Sequence, residues 1–509
     1  MLISFTRDRN NMRHAATIIV ALFIGVRVWL FALGCRFDAE NLTTWMQIAD
    51  IQLLRTDLLH TLWYLHSQPP LFDLLIGLAL KTGSFPYLLE LFYATVTLAG
   101  ILAFHSLARD LTHRPRLAFL VSAWFCGSPA VLLFSEKLYY DAMVPWLLCL
   151  AFYGLHFGLM QRSIWLQTFG FSMLAATILL RSAFHPLIFV IITSIYAVMG
   201  RGQRRHLLCA CAAPGLAIGL LVLKNALLFG FIGLSSWGPF NIARTTVDRM
   251  PSQQRESLIK DGRLSKFSAF ESFSAPTRYL KALGPITPTG EPSLDNVRKS
   301  TGDFNYNHIV YVKVSKQKSK DALVALTASP ASFAKTVVTS LYHFHRPASE
   351  FKGLERNLAI ISGWDRFANA VIGLQPAAWF GSSLNSTRPT NPLLQISYGA
   401  IATTLLFLAG TMAICGDALM GTRQRHLTTT ATITLIALAT TGVFVILVSS
   451  VFDVWENNRA HYDCGPIILL IAIWSATSLL NGRRSQKDQN AAFGAYSNSD
   501  GPDRPANPS

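Results

Sequence analysis

The chain has 509 residues, of which 51% are hydrophobic and only 14% are charged, whereas soluble globular domains average about 25% charged residues. This composition excludes an ordinary soluble protein and predicts a chain that crosses a membrane several times. The formal net charge of +16 suggests anionic membrane lipid or phosphate as a partner. Nucleic acid is not expected as a partner, because the basic residues are spread over many loops without a compact reading module.

Ten apolar stretches are most simply membrane-spanning helices, since about 20 apolar residues cross the hydrocarbon core and unpaired backbone groups are not tolerated there. They are residues 14–34, 86–108, 116–134, 141–159, 164–181, 184–199, 206–232, 395–414, 428–451 and 464–480. The first stretch follows basic residues, as a signal peptide does, but it is long and lacks a small-residue cleavage site. We interpret it as a retained anchor.

The stretch LFDLLIGLALK, residues 71–81, is too short for a further span. Eleven helical residues cover about 17 Å, against a hydrocarbon core of about 30 Å. Clusters of Lys and Arg mark the cytoplasmic side, and those at 109–116 and 201–205 share the side of the N-terminus only if this stretch does not cross. We therefore predict a helix in the outer interface, entered through Pro69 and Pro70, and both chain termini in the cytoplasm.

Four regions follow from this topology. Residues 1–232 form the N-terminal membrane core with a first outer loop at 35–85, and residues 233–394 form a polar, basic outer segment that is a small extracytoplasmic domain or a long loop. Residues 395–482 supply the last membrane helices, and residues 483–509, rich in Ser, Asn, Pro and Gly, are predicted to be a disordered cytoplasmic tail.

Two apolar stretches inside the outer segment leave its topology open. Residues 331–344 and 358–380 could form an additional pair of spans or two surface helices. An even number of extra crossings leaves the sides of all other loops unchanged, so the Lys and Arg clusters do not decide between these alternatives.

Polar residues that hydropathy does not explain gather at the outer ends of the spans. They are Asp38, Glu40, His66, Gln68, Glu136, Lys137, Tyr140, Asp141, Arg181, His185, Asp453, Glu456, Arg459, His461 and Asp463. Taken alone, each also suits an ordinary solvated loop. Together they suit transfer from a phosphate to a hydroxyl, because a carboxylate can take the proton of a hydroxyl and the planar fork of arginine can hold a phosphate.

Several of these residues have a plain alternative role. Asp141 would cap the helix that follows it, Arg181 could simply snorkel to the interface, and Glu456 and Arg459 have the spacing of a helical ion pair. Arg27 lies inside the first span and Glu90 near the outer end of the second. A lone charge in the bilayer is costly, so either these two residues pair or Arg27 contacts a lipid phosphate.

Four pieces of the sequence resemble a known family. DAENLTTW, SQPPLFDLLIGLALK, SEKLYYDAM and ENNRAHYDCGPIILLIAIW are similar to motifs of bacterial membrane glycosyltransferases of the GT-C fold, family 39 type. That group includes protein O-mannosyltransferase relatives, lipid A aminoarabinose transferases and lipopolysaccharide glycosyltransferases. The resemblance covers about 35–232 and the C-terminal third, leaves the outer segment unmatched, and implies a GT-C bundle of about 10–12 membrane helices. The family commonly has adjacent acids in its first motif, whereas Ala39 here separates Asp38 from Glu40.

The resemblance implies an inverting glycosyltransferase of the cell (inner) membrane. It would move a hexosyl or pentosyl unit from a polyprenyl-phosphate sugar to a glycolipid, glycan or protein on the outer face. Asp38 or Glu40 would be the general base. Glu136 would be a supporting acid, and Arg181 and Arg459 would hold the carrier phosphate. The further candidates for substrate binding are His66, Asp141, His185 and Glu456.

No cofactor is expected. Some GT-C enzymes use a divalent metal, but no clustering of ligand residues argues for one here. The main alternative function is a transporter or flippase for a lipid-linked or anionic solute. Such proteins place their charges near the bilayer midplane and often show two related halves, whereas here most charges lie at the outer ends of spans and no duplicated half is visible.

The basic residues of the outer segment bear on the acceptor. Lys313, Lys316, Lys318 and Lys320, with His343, His345 and Arg346 farther on, suit an acidic acceptor such as a phosphorylated glycolipid. A solvated charged loop would have the same composition.

Overall fold

The computed structural model describes residues 2–379, 392–420 and 428–497. Within these ranges the regular structure is helical, and strand-type pairing is limited to two isolated bridges. Seven of the helices found there are long and apolar enough to cross a membrane. The prediction of an all-α polytopic membrane protein is therefore confirmed.

The helices before the outer segment form most of the membrane bundle. They are α1 (Leu2–Leu33), α2 (Asn41–Thr44), α3 (Ile51–Thr56), α4 (Leu58–Trp63), α5 (Leu71–Lys81), α6 (Tyr87–Thr112), α7 (Pro115–Gly127), α8 (Pro129–Ser135), α9 (Val144–Met160), α10 (Ile164–Leu180), α11 (Pro186–Met199) and α12 (Arg204–Phe229). Short 3-10 helices at Tyr140–Ala142 and Arg201–Gln203 precede α9 and α12.

The outer segment and the C-terminal part contribute the remaining helices. They are α13 (Gly238–Thr245), α14 (Ser252–Lys260), α15 (Pro276–Leu283), α16 (Pro292–Asp295), α17 (Val310–Ala328), α18 (Pro330–Phe344), α19 (Glu355–Ile360), α20 (Ser362–Val371), α21 (Pro376–Trp379), α22 (Tyr398–Met420), α23 (Thr429–Phe452) and α24 (Asn457–Ser497). Short 3-10 helices lie at Val247–Arg249, Lys266–Ala269, Ala348–Glu350 and Pro392–Gln395.

The end of the chain differs in part from the predicted disordered tail. Helix α24 continues to Ser497, so residues 483–497 of that tail are helical. Residues 498–509 of the predicted tail lie outside the described residues.

All ten predicted spans correspond to helices, but three of them are not single long helices. Residues 116–134 form α7 and α8, which meet at an angle of 48°. Pro129 begins α8 and has no N–H for continuing the α7 ladder, which explains the break. Helices α10 and α11 have 17 and 14 residues, or about 25 and 21 Å, which is shorter than the hydrocarbon core. A short turn at residues 181–185 joins them.

Helix α5 has the predicted bounds, Leu71–Lys81, and Pro70 is its N-cap residue. Its buried residues include Phe72, Asp73 and Ile76, and it packs against α3, α4, α6 and α10. The helix itself is thus confirmed. Its position in the outer interface stays a prediction.

The two uncertain stretches of the outer segment do not form two straight spans within the described residues. Residues 331–344 belong to α18, which turns by 101° from α17 and packs against α23 and α24. The described part of 358–380 is divided among α19, α20 and α21, which have six, ten and four residues. Helices of this length are too short to cross a bilayer.

The outer segment is joined to the first outer loop by buried polar contacts. The Oδ1 atom of Asn307 accepts hydrogen bonds from the backbone N–H groups of His66 and Ser67, at 2.9 and 3.1 Å. The Nζ atom of Lys299 donates to the carbonyl oxygens of Trp45 and Ile48, at 3.0 and 2.6 Å. These contacts, made by groups that would otherwise be buried without partners, fix the outer segment over the bundle.

Candidate functional site

A cavity of about 1150 Å³ lies where the outer segment covers the ends of the membrane helices. Its walls come from the turn between α10 and α11, the chain after α12, the helices α13 to α15, and the junction of α23 with α24. Because charged residues line much of it, we call it the polar cavity. Of the nine candidate site residues of the sequence analysis, it is lined by Arg181, His185, Glu456 and Arg459.

A buried ion-pair network forms the floor of the polar cavity. The Nη1 atom of Arg181 lies 2.6 Å from Oδ1 of Asp141, and the same guanidinium contacts Asp463. Arg459 lies 3.1 Å from Glu456 through Nη2, and its Nε lies 3.6 Å from Asp141. Four predicted site residues from the 3-10 helix at 140–142, the end of α10 and the start of α24 are thus brought together.

The network decides between alternatives that the sequence left open. Met143, not Asp141, is the N-cap residue of α9, and no side chain caps that helix. The prediction that Asp141 caps α9 is therefore wrong, because its carboxylate pairs with Arg181. Arg181 is 5% exposed, so it does not snorkel to water. The pair of Glu456 with Arg459 is confirmed, but it lies in the cavity wall and not on an open surface.

Asp453 and Glu456 present carboxylates to the polar cavity. The Nη1 atom of Arg244 lies 3.6 Å from Oδ1 of Asp453. Burial, followed by the Glu456 carboxylate, raises the pKa of Asp453, while the guanidinium groups of Arg244 and Arg459 oppose this rise. A carboxylate with a raised pKa is a better proton acceptor than an ordinary one.

Asp38 and Glu40 occupy a different place from the cavity floor. Asp38 is 2% exposed, its Oδ2 lies 2.8 Å from Nζ of Lys137, and its backbone forms an isolated parallel bridge with Lys137. The Glu40 side chain is 71% exposed and lies 3.7 Å from the same Nζ. Among the described residues, the cavity lining includes neither acid. It does include Trp45 of the same loop, whose ring centroid lies 5.2 Å from that of Tyr140.

Glu136 is also turned away from the polar cavity. Its Oε1 lies 2.7 Å from Nη1 of Arg27, which also donates to Oγ of Ser135 at 2.6 Å. Of the two alternatives left open for Arg27, pairing with Glu90 is therefore wrong, because the bend between α7 and α8 brings Glu136 to α1 instead. The Glu136 carbonyl oxygen accepts from the N–H of Asp38 at 2.7 Å, so this pair supports the backbone around Asp38.

His66 connects the first outer loop with the outer segment. Its Nδ1 lies 2.8 Å from Oγ of Ser236, and its ring packs against Phe229. Burial lowers the pKa of His66 to about 3, so the ring is neutral at physiological pH. The cavity lining includes the neighbouring Gln68, whose Oε1 accepts from Oγ of Ser182 at 3.2 Å.

His185 shapes the turn between α10 and α11. It is the N-cap residue of α11, where its Nδ1 accepts from the N–H of Leu187 at 3.2 Å. The ring also lines the cavity, where it can contact a substrate hydroxyl.

The outer segment contributes arginines that the sequence analysis did not select. Arg244, Arg249, Arg255 and Arg278 line the polar cavity. They lie far apart along a generally basic segment, so no local spacing marked them. The lysines noted from the sequence differ, because Lys318 is buried and donates to the Phe267 carbonyl at 2.9 Å, and Lys313, Lys316 and Lys320 are not among the described residues that line the cavity.

Asp453 and Asp463 were noted among the outer polar residues but were not selected as site residues. For Asp463 a signal was present, since it follows Arg459 by one helical turn. Its partner in the structure is nevertheless Arg181, from another helix.

An apolar stripe continues from the charged part of the cavity. Along α23, the lining residues Phe444, Val448 and Phe452 recur every four positions and so lie on one helix face. This face covers about 12 Å and ends beside Asp453. Leu187 and Ile232 line the same cavity. The site therefore has both an apolar and an ionic part.

In the described ranges, no group of three His, Cys, Asp or Glu side chains is placed to hold a metal ion. Six arginines line the cavity.

The similarity of this chain to known proteins is low. No family model and no curated protein matches the chain. An oligosaccharyltransferase AglB from Archaeoglobus fulgidus, solved with an inhibitory peptide and a dolichol-phosphate, is 12% identical with a TM-score of 0.35. The A. fulgidus oligosaccharyltransferase tethered to an acceptor peptide is 15% identical with a TM-score of 0.32. Each alignment covers 96% of this chain but only 52% and 51% of the other chains, and scores this low do not establish a shared fold.

Proposed function

We propose that this protein is a membrane glycosyltransferase that moves a sugar, with inversion, from a polyprenyl-phosphate donor to a glycolipid, glycan or protein. One observation carries the proposal: the polar cavity joins an apolar stripe on α23 to a charged end that contains Arg244 and Arg459. This arrangement fits an amphiphile with a hydrocarbon chain and an anionic head group. Carboxylates beside that charged end supply the base that transfer to a hydroxyl requires.

Arg459 and Arg244 are the proposed ligands of the donor phosphate. The Nε atom of Arg459 is buried without a hydrogen-bond partner, and Arg244 lies at the longer distance of 3.6 Å from Asp453. Both guanidinium groups therefore retain donors for phosphate oxygens. Arg181 is engaged by Asp141 and Asp463, which favours a positioning role over direct phosphate binding.

Two sets of acids compete for the role of general base. The family resemblance implies Asp38 or Glu40, whereas Asp453 and Glu456 line the cavity. We favour Asp453, because its pKa is raised and because Glu456 is already paired with Arg459. Asp38, held by Lys137, would position the first outer loop and so place Trp45 at the cavity.

The reaction is then a single displacement. The base takes the proton of the acceptor hydroxyl as the hydroxyl oxygen forms a bond to the anomeric carbon. The bond from that carbon to the phosphate oxygen breaks on the opposite face, and the electron pair leaves with the lipid phosphate. The arginines stabilise the charge that develops on the leaving phosphate.

The proposed location is the cell membrane, with both termini cytoplasmic and the polar cavity on the outer face. Helix α10 supports this orientation, because Arg162 precedes it and the cavity residue Arg181 follows it. The basic residues Arg109 and Arg205 lie at ends of α6 and α12. Positive charges in short loops favour the cytoplasmic side.

The test is transfer by the purified chain in lipid nanodiscs, supplied with labelled polyprenyl-phosphate sugars and a cell-envelope extract as acceptor. Asp453→Asn should lower transfer by about 100-fold or more, the usual contribution of a positioned base. Arg459→Gln should also weaken donor binding. Asp57→Asn is the matched control, because that carboxylate is 62% exposed and is not among the described residues lining the cavity.

Asp38→Asn needs a stability measurement beside the transfer assay, because it leaves Lys137 buried without its closest partner. If Asp453→Asn transferred sugar at the same rate as the wild type, Asp453 would be rejected as the base. Saturable donor binding with no transfer by the wild type, whatever the acceptor, would instead favour the transporter or flippase.

A further inference from the structure

The charges around the polar cavity are divided unequally between its two walls. Counted over the described residues, the outer-segment wall carries four arginines and two carboxylates, and the membrane-helix wall carries two arginines and three carboxylates. The outer-segment residues are Arg244, Arg249, Arg255, Arg278, Asp248 and Glu271. The excess of positive charge therefore lies on the side of the cavity away from the bundle.

The arginines of the two walls also differ in whether a carboxylate lies close to them. Arg181 and Arg459 each have a carboxylate within 3.1 Å, whereas the described residues place none within 4.0 Å of Arg249, Arg255 or Arg278. The Nε atom of Arg249 is buried and has no hydrogen-bond partner, and its guanidinium lies 5.2 Å from the Trp455 ring centroid. An arginine desolvated in this way retains strong hydrogen-bonding capacity for an anion.

Two of the three unpaired arginines lie on elements that do not carry the proposed donor site. The apolar stripe for the lipid chain ends beside Asp453, next to Arg244 and Arg459. Arg255 and Arg278 are carried by α14 and α15 of the outer segment. One donor phosphate next to Asp453 leaves these two arginines without an anion.

We infer that Arg249, Arg255 and Arg278 form a second anion site, which binds a phosphate monoester on the acceptor. The inference rests on the proposed function, since it identifies the class of acceptor for the same cavity. Guanidinium groups match the oxygens of a phosphate through paired hydrogen bonds, and several of them offset the charge of a dianion. The phosphate is carried either by a lipid or by a sugar.

Binding to the full-length protein tests the inference without any transfer step. The soluble probe is radiolabelled glucose 6-phosphate, measured by equilibrium dialysis with the protein in phosphatidylcholine nanodiscs. The lipid probe is phosphatidic acid added to the same nanodiscs, measured by its displacement of glucose 6-phosphate.

The double variant Arg255→Gln/Arg278→Gln should bind glucose 6-phosphate at least about 10-fold more weakly, as expected when charge-assisted hydrogen bonds are lost. Lys260→Gln, a charge removal on the exposed side of α14, should bind like the wild type. Arg459→Gln should retain binding. Displacement by phosphatidic acid would assign the phosphate to a lipid, and its absence would assign it to a sugar.

Two results would overturn the inference: no saturable binding of glucose 6-phosphate, or equal losses in Arg459→Gln and the double variant. The proposed function fails separately, through absence of transfer in the labelled-sugar assay. Phosphate binding without sugar transfer would therefore support the second anion site and contradict the proposed glycosyltransferase activity.

Discussion

Buried charges at the outer end of the bundle are paired between distant parts of the chain. Asp38 pairs with Lys137 and Glu136 with Arg27. Removing one partner of a buried pair typically costs about 3–5 kcal/mol, because the other charge is left uncompensated. An Asp38 variant with low activity would therefore not by itself identify a catalytic acid.

Only part of this pairing could be predicted from the sequence. The contact of Glu456 with Arg459 follows from local helical spacing, and the common side of Asp141 and Arg181 follows from counting spans. Contacts between residues on neighbouring helices do not follow from the sequence, because hydropathy predicts the depth of a residue in the membrane but not its position around the bundle. Glu90 was accordingly one of two partners considered for Arg27, the other being a lipid phosphate, whereas Glu136 lies beside it.

Asp73 gives a prediction for pH dependence. Its Oδ1 accepts from the N–H of Ala49 at 3.0 Å, and its Oδ2 is buried without a partner. Burial raises the pKa of Asp73 from 3.8 to about 7, although the Ala49 N–H and the Lys299 charge oppose this rise. The folded state therefore holds a proton that the unfolded state releases between about pH 4 and pH 7, and stability from this group falls over that range as pH rises.

Asp73→Asn should remove this part of the pH dependence. The amide keeps an oxygen for the Ala49 N–H and has no charge to desolvate. The thermal unfolding midpoint, measured in detergent from about pH 4 to pH 8, should fall less with pH in the variant than in the wild type. Asp57→Asn, at an exposed position, should follow the wild-type curve. Parallel curves for Asp73→Asn and wild type would contradict the prediction.

At the level of elements, close packing of α9 against α10 supports the turn that carries Arg181. Gly154 of α9 faces Gly170 of α10, and Gly158, four residues later on α9, faces Leu166 and Gln167. A Cβ on Gly154 would lie 2.7 Å from the Gly170 nitrogen, which is backbone and cannot move aside. Small residues spaced in this way let membrane helices approach closely.

Gly154→Ala should therefore destabilise the protein by about 1–3 kcal/mol, the usual cost of overpacking. It should also lower donor binding, because separation of α9 from α10 displaces Arg181. Gly219→Ala on α12 is the control, since a Cβ there has no atom within 4 Å. The measurements are the thermal midpoint and the donor dissociation constant. A Gly154→Ala midpoint equal to that of Gly219→Ala would contradict the packing argument.

The locations of the helices were predicted from the sequence more completely than their bends and lengths. Ten apolar stretches were assigned as spans and all are helical, and α5 has the predicted bounds. The bend at Pro129 and the shortness of α11 were not predicted, because an apolar sequence looks similar whether its helix is straight, bent or short. The outer-segment arginines also escaped prediction, since folding alone brings α13, α14 and α15 to one wall.

At the scale of the whole molecule, the orientation of every loop after α5 depends on α5 not crossing the membrane. If it does not cross, Lys260 of the outer segment lies on the outer side and Arg116 at the start of α7 lies on the cytoplasmic side. Both side chains are exposed, so each is accessible to a reagent on its own side.

Cysteine labelling tests this arrangement. In a chain whose seven native cysteines are replaced by serine, Lys260→Cys should react with a membrane-impermeant maleimide in intact cells. Arg116→Cys should react only after lysis. The reverse pattern would place the polar cavity in the cytoplasm and reject the proposed use of an outer-leaflet donor.

The contacts between the first outer loop and the outer segment also set an order of events during synthesis. Lys299 and Ser300 reach Trp45 and Asp50 across about 250 residues of chain. At roughly 5–20 residues per second, the ribosome needs on the order of 10–50 s to make the intervening chain. Throughout that interval the loop carrying Asp38 has been made but lacks these partners, so the proposed catalytic site is completed late, after most of the bundle has been inserted.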